Sequence, residues 1–518
     1  MSPVSKRSLV VNTALNAGSQ VVSMLVSLVT LPLLLRAYGN SVYGLFLLAS
    51  SVVSFLPLFD MGAGTITAKE IAQYNARGNY AELWATVRSD FLVHFCLGVL
   101  SALALVVIAM FSHSLFALNT TEADLLKLML FFQAGTQLLS IPLSVGRHIL
   151  TGFQHYKLIA FATFFSAIGT GLAIVFVLVT GQGPLVLTAI NSVVVVAAAT
   201  IMSAFAARQL SSRVPREART PRFAMKHLLG LGFPVFLIQL TAFLMQQQTD
   251  KIVLGIMVSA SSLALFEVAA KMSLLSNSVN DLAISALMPH MVHLHASNQA
   301  EKVRNTFLYG SRYLSLLICP ALATLFAFAP TIAVVWCGEE FRQAGEIARF
   351  LLLVPVINPL LMAGHSILMS KDKMAQWAPY TIGASILNLI LSVVLVRVMG
   401  IQGVALASCV AGLLEVVFYA RIMLPETEVP VRDWVVHVVI PQLPALGIII
   451  AGSWALSHYL PIDSFSGLIV HLCIVLIVAY VTQWLGVLSR DERSFIVRGM
   501  LSALMSGMPG RQDKRQHD

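Results

Sequence analysis

Apolar runs of about 20 residues follow one another from Leu9 to Leu488, separated by short polar breaks. A helix of about 20 apolar residues crosses a hydrocarbon core about 30 Å thick. The pattern therefore predicts an all-α, polytopic membrane protein with about fourteen transmembrane helices. Their expected bounds are 9–35, 43–66, 89–112, 125–146, 159–180, 185–207, 229–257, 262–288, 313–337, 347–369, 377–398, 403–423, 436–458 and 464–488. No connection exceeds roughly twenty residues, so no soluble catalytic or sensory domain is expected. The longest polar insert, within 208–228, joins six runs in 1–207 to eight that follow.

Charge fixes a sidedness. Of the 33 Lys and Arg, 26 fall on one set of alternate connections and termini, and five on the other. By the positive-inside rule both termini are expected in the cytoplasm, which requires an even number of spans. The excess over 24 Asp and Glu then reflects orientation, and no nucleic-acid partner is expected. The six basic residues of 208–226 read first as an inner-face linker touching anionic lipid, with a partner site as the alternative. Composition agrees: 57% hydrophobic, 11% charged, mean hydropathy +0.82, where a soluble domain carries about 25% charged residues. The first run is longer than a signal-peptide core and carries Asn12, Asn16 and Gln20, which predicts an uncleaved span. Cys96, Cys319, Cys337, Cys409 and Cys473 lie in or beside apolar runs without a CxxC pair, so they are expected to be buried and neither metal-bound nor disulfide-bonded.

Ionisable groups inside spans are costly and mark cavities or mutual pairs. The densest group is Gln246-Gln247-Gln248-Thr249-Asp250-Lys251 on the seventh run with Glu267 and Lys271 on the eighth. Glu267 and Lys271 are spaced i,i+4 and share a helix face. Counting from the turn near Ser259–Ser261 places all four charges at similar depth. Two readings stand: a neutralising staple between two helices, or a polar cavity whose cations meet an anionic ligand. Asn12, Asn16 and Gln20 form a polar stripe that lines a cavity or bonds a neighbouring helix. Glu415 lies near mid-membrane on the twelfth run; Asn358, His365 and Asn388 read as helix-contact residues. Asp60 is expected near the inner end of the second run, as a cap, an interfacial group or a ligand.

Pro32, Pro57, Pro142, Pro234, Pro320, Pro355 and Pro359 interrupt spans, and Gly230 to Pro234 is the sharpest hinge candidate. His290, His293 and His295 read as a solvated loop, with a metal site as the alternative. There is no P-loop, GxSxG, HExxH or dinucleotide fingerprint, so neither an enzyme nor a cofactor is expected. The last residues carry Phe495-Ile496-Val497 and Met500-Leu501, read as a short amphipathic segment on the inner leaflet.

Four stretches carry a resemblance. They are Asn12 to Leu35 followed by Ala37-Tyr38-Gly39-Asn40-Ser41-Val42-Tyr43-Gly44 and Phe59-Asp60-Met61-Gly62; Gln248-Thr249-Asp250-Lys251-Ile252-Val253-Leu254-Gly255; Phe266-Glu267-Val268-Ala269-Ala270-Lys271; and Trp336-Cys337-Gly338-Glu339-Glu340-Phe341 with Ala344. In this order and spacing the chain resembles Wzx-type polysaccharide flippases of the multidrug/oligosaccharidyl-lipid/polysaccharide exporter superfamily. The resemblance spans most of the first twelve helices. It implies two six-helix bundles, 1–207 and 229–423, joined by the basic cytoplasmic linker 208–228, with helices thirteen and fourteen in 424–488 and a basic cytoplasmic tail over 489–518. It implies movement of an undecaprenyl-diphosphate-linked oligosaccharide (an O-antigen, capsule or exopolysaccharide unit) across the inner membrane of a bacterium, driven by an ion gradient. A glycan polymerase and chain-length machinery are implied partners. On this reading Lys251, Lys271, Gln247, Asn12, Asn16 and Gln20 contact the substrate. Asp250, Glu267 or Glu415 would take the coupling proton or sodium ion. A drug or small-solute antiporter of the same superfamily is the alternative. A membrane glycan polymerase, glycosyltransferase or ligase fits poorly, since no outer loop exceeds roughly a dozen residues.

Overall fold

The computed structural model describes residues 6–56, 60, 62–219, 223–225, 228, 230, 236, 248–296, 300–370, 374–459, 464–494 and 497. Among these residues every regular element is helical, and ten helices are long and apolar enough to cross a membrane. The apolar runs become helices because hydrocarbon offers no hydrogen bonds, so each backbone group must be satisfied within its own segment. Large side chains such as Val179 and Val398 are left exposed, at 80% and 81%. On a spanning helix such faces meet lipid tails. Cys319, Cys337 and Cys409 are buried as expected, but Cys96 and Cys473 are exposed on such faces.

Helix α1 (Lys6–Ser54) carries the first expected run and the first half of the second. Its one non-helical residue is Gly39, at φ 73° and ψ 170°. A side chain is disfavoured at this positive φ, so glycine is what permits the break. The flanking residues are tied down separately. Tyr38 Oη donates to the Gln182 carbonyl (3.1 Å), Asn40 Nδ2 to Glu340 (3.3 Å), and the Ser41 hydroxyl to Glu122. The second run ends earlier than its apolar pattern suggests. Helix α1 stops at Ser54, and α2 (Ala63–Arg77) restarts after Gly62, whose φ is 71°. Asp60 lies in this break, its Oδ1 accepting the Gly62 N–H at 2.7 Å in a tight turn ahead of α2.

Helices α3 (Tyr80–Met110), α4 (Thr120–Leu143), α5 (Val145–Gly152), α6 (Tyr156–Thr180) and α7 (Pro184–Arg213) follow. Their starts carry legible signals. Asn79 Oδ1 accepts the Glu82 N–H before α3, and Asn119 with Glu122 forms a reciprocal capping box before α4. Pro184 opens α7 where its missing N–H costs nothing. Next come α8 (Gln248–Met257), α9 (Ala260–Ala296), α10 (Ala300–Cys337), α11 (Arg342–Ile357), α12 (Met362–Ser370), α13 (Met374–Met399), α14 (Ile401–Glu426), α15 (Leu443–Tyr459) and α16 (Phe465–Thr482). Two expectations are corrected here. His290, His293 and His295 lie on the last turns of α9 rather than in a loop, because the apolar pattern is too weak there to mark the helix end. The tenth run is not one helix: Asn358–Leu360 forms a 3-10 turn between α11 and α12, where Pro359 lacks the N–H a continuous helix needs.

The chain divides into two compact units. The first comprises Met1–Lys271, Trp336–Leu351 and Gln376–Glu415. In it α3 packs on α4, α1 on α6, and α7 on both α4 and α6. One core joins Ile71, Leu83, Val87, Ile149, Phe153 and Leu210. The second comprises Met272–Val335, Leu352–Ala375 and Val416–Asp518. Phe307, Ile367, Met423 and Val438 meet in one of its cores, and Phe328, Ile449 and Val475 in another. Arg312 is its polar clamp, donating to Glu492 (3.0 Å) and to the carbonyls of His437 (2.9 Å) and Val487 (3.3 Å). One guanidinium thereby ties α10 to His437 and to the 487–492 stretch.

Candidate functional site

Helices α8 and α9 are joined by a turn at Ser259, so neighbouring side chains at matched depth can meet. Asp250 and Lys251 are adjacent on α8, and successive helical residues point about 100° apart. They therefore serve different neighbours. Lys251 reaches α9, where its Nζ lies 2.6 Å from Glu267 Oε2. One turn along α9, Lys271 Nζ lies 3.2 Å from Glu267 Oε1. Each carboxylate oxygen thus faces its own ammonium. Glu267 and Lys251 are buried, and Lys271 is partly exposed. Two ammoniums on one carboxylate leave a net charge of +1 in a low-dielectric setting.

Asp250 turns away from this group toward α13 and α14. Ser408 Oγ donates to its Oδ2 at 2.7 Å; Asn388 Nδ2 and Ser392 Oγ approach its Oδ1 at 3.3 and 3.4 Å. Ser392 and Ser408 each also meet Asn388 Oδ1 at 3.3 Å, which orients the amide. These donors are neutral, so the fully buried carboxylate is solvated by dipoles rather than matched by a counter-charge. Glu415 on α14 accepts a 2.8 Å hydrogen bond from Thr381 Oγ1.

The structure brings together Lys251, Glu267 and Lys271. It separates Asp250 and Glu415 into environments of their own. Ser392, Ser408 and Thr381 escaped the sequence reading; Ser392, one turn from Asn388 on α13, was the available signal, whereas Ser408 lies 20 residues further along on α14. The backbone carrying Asn12, Asn16 and Gln20 is helical, but their side chains lie outside the described residues, as do Gln247 and Pro234. Trp336, from the fourth motif, donates to the Leu28 carbonyl at 3.2 Å. Phe341 and Ala344 are fully buried, so that motif packs rather than lines a site.

A many-helix membrane protein with buried charges on its spans has the makings of a transporter. The family model described as polysaccharide biosynthesis protein matches residues 9–295, more than half of the chain, and the chain belongs to that family. A curated relative, the probable low-salt glycan biosynthesis flippase Agl15 of Haloferax volcanii, is 23% identical over 176 residues. That match covers 33% of this chain and spans only about a third (36%) of the relative's length. Among solved structures, the lipid II flippase MurJ in its inward closed conformation matches with a TM-score of 0.67 at 16% identity, covering 94% of this chain and 100% of that one. An inward-facing multidrug resistance MATE family transporter of the MOP superfamily matches with 0.62 at 16% identity, covering 79% and 96%. The chain has the fold of these transporters.

Proposed function

We propose that the chain flips a lipid-linked oligosaccharide from the cytoplasmic to the outer leaflet of a bacterial inner membrane, as a step in polysaccharide assembly. The observation that carries this reading is the net positive Lys251–Glu267–Lys271 group, buried in a member of a polysaccharide biosynthesis family. An undecaprenyl diphosphate headgroup concentrates negative charge, and its unaided passage through hydrocarbon is prohibitive. Lys251 and Lys271 replace part of its hydration, while Gln247, Asn12, Asn16 and Gln20 hydrogen-bond the sugars and the polyprenyl chain stays in lipid. Glu267 holds both ammoniums at one depth. Asp250, caged by neutral donors, takes the coupling proton or sodium ion, with Glu415 as a second acceptor. Both termini lie in the cytoplasm, and the six-helix bundles 1–207 and 229–423 alternate access. A polymerase and its chain-length partners receive the product.

The names of the relatives support the glycan reading: two are flippases, one in glycan biosynthesis and one of lipid II. The MATE likeness favours small-solute antiport as the second reading. Deleting the gene separates them. The glycan reading expects lipid-linked oligosaccharide to accumulate on the cytoplasmic leaflet and surface polymer to vanish. Normal surface polymer with raised drug sensitivity would overturn it in favour of antiport.

A further inference from the structure

A second polar cluster sits in the first unit, on the N-terminal part of α3. Asp90 is fully buried at 0% exposure. Each of its carboxylate oxygens faces an imidazole: Oδ1 lies 3.0 Å from His94 Nδ1, and Oδ2 lies 2.9 Å from His148 Nδ1. Asp90 and His94 are one turn apart on α3, whereas His148 comes from α5, 58 residues further along the chain. The two rings stand edge to face with centroids 5.0 Å apart. One ligand atom from each of the three residues lies within 4.8 Å of the other two. The His148 side chain keeps 18% exposure, so the cluster is closed on the Asp90 side and open on the His148 side. Gly64 on α2 makes the ring's seat. A Cβ there would run into His148 Nε2, so only glycine leaves the imidazole where it is.

His94 Nδ1 also lies 2.9 Å from the Asp90 carbonyl oxygen. If both imidazoles are neutral, the carboxylate has hydrogen bonds but no counter-charge out of water, which is costly. A divalent cation removes that cost, taking one ligand atom from each of the three residues. Ligand bonds of about 2.0–2.2 Å place two ligand atoms some 3–4 Å apart, close to the spacing seen between Asp90 and each ring. Two imidazoles and one carboxylate favour a borderline transition ion over calcium or magnesium, and three protein ligands leave a coordination position open.

The surroundings give such an ion something to control. Ser89, beside Asp90, accepts the Ala224 N–H at 2.6 Å, and the Arg88 guanidinium covers the Phe223 ring at 4.6 Å. The residues just before Asp90 thus anchor part of the basic linker. We infer that Asp90, His94 and His148 form a binding site for a divalent transition metal such as zinc, which locks α3 to α5 beneath that anchor. Neither the ligands nor the readout below overlaps the Lys251–Glu267–Lys271 group, so failure of this inference leaves the proposed function standing.

The test uses the full chain without a polyhistidine tag, purified in detergent and stripped by chelator. Every preparation carries His290, His293 and His295→Gln, which removes competing imidazoles on α9. Calorimetric titration with zinc chloride is expected to show one ion per chain, and zinc to raise the thermal midpoint. His148→Gln and Asp90→Asn should each abolish both effects, while eluting as a single species with an unchanged chelator-treated midpoint. Gly64→Ala, which keeps all three ligands but displaces the His148 ring, should weaken binding about tenfold or more, as outer-shell changes at metal sites do. Absence of saturable zinc binding would overturn the inference, as would binding that survives His148→Gln at full affinity. If Asp90→Asn fails to fold, the His148→Gln result decides alone.

Discussion

Glu267 and Asp250 are buried to a similar degree, 4% and 1% exposed, within one unit and on neighbouring helices. Their surroundings differ in kind. Glu267 lies between two ammoniums and its group ends with a surplus positive charge. Asp250 has only hydroxyl and amide donors around its carboxylate. A carboxylate locked by cations is a fixed structural charge, since removing it strands two ammoniums. A carboxylate solvated by dipoles is electrostatically unfinished and gains from a mobile cation. Two residues adjacent on one helix, Asp250 and Lys251, thereby belong to a cation-attracting and an anion-attracting environment respectively. This is the pairing that ion-coupled movement of an anionic headgroup needs.

Substitutions can break the contrast. The largest effect is expected from Glu267→Gln, which leaves Lys251 and Lys271 uncompensated. Breaking a buried ion pair costs about 3–5 kcal/mol, so purified protein should melt markedly earlier and membrane abundance should fall. An unchanged melting curve would show that the ammoniums find other partners. Asp250→Asn is gentler on the fold, because the amide still meets hydroxyl partners; a loss of no more than about 1–3 kcal/mol is expected. Its mark is functional: glycan flipping in proteoliposomes should no longer respond to an imposed proton or sodium gradient. Retained gradient dependence would move the coupling role to Glu415. Thr381→Val takes away the hydroxyl donor to Glu415 and should cost about 1 kcal/mol, read from the same melting curves. Lys271→Gln is expected to change stability least, by about 1 kcal/mol or less for a partly exposed pair, because the 2.6 Å Lys251–Glu267 bridge persists. Surface polymer should nonetheless drop several-fold. Full export by this variant would make Lys271 a spectator.

The same contrast marks what the sequence could and could not reveal. Hydropathy located the helices, and depth counting from Ser259 brought Lys251, Glu267 and Lys271 to one level. It did not tell that Glu267 is shared. Read as an isolated i,i+4 pair, Glu267 and Lys271 could be exchanged without changing their geometry. With Lys251 against Glu267, exchange sets ammonium against ammonium, so the double variant is expected to lose membrane abundance as well as export. Nor did the sequence show Asp250 turning away, because its partners lie 138 to 158 residues further on. The sequence reading passed over Asp90 and His94, and His148, 58 residues from Asp90, joins them only through packing of α5. The break after Ser54 was hidden for a different reason: apolar residues continue through it, and only the positive φ of Gly62 and the Asp60 turn reveal the stop.

The Gly39 break in α1 has a consequence for anyone who alters this protein. Tyr38, Asn40 and Ser41 each hold a different neighbour, at Gln182, Glu340 and Glu122, across a connection that has no spare length. Epitopes, protease sites and fluorescent reporters are usually spliced into the turns between spans, on the assumption that turns tolerate cargo. This turn is a hub instead. A splice after Gly39 would pull three anchor points apart at once, and a random-insertion library should show a gap there.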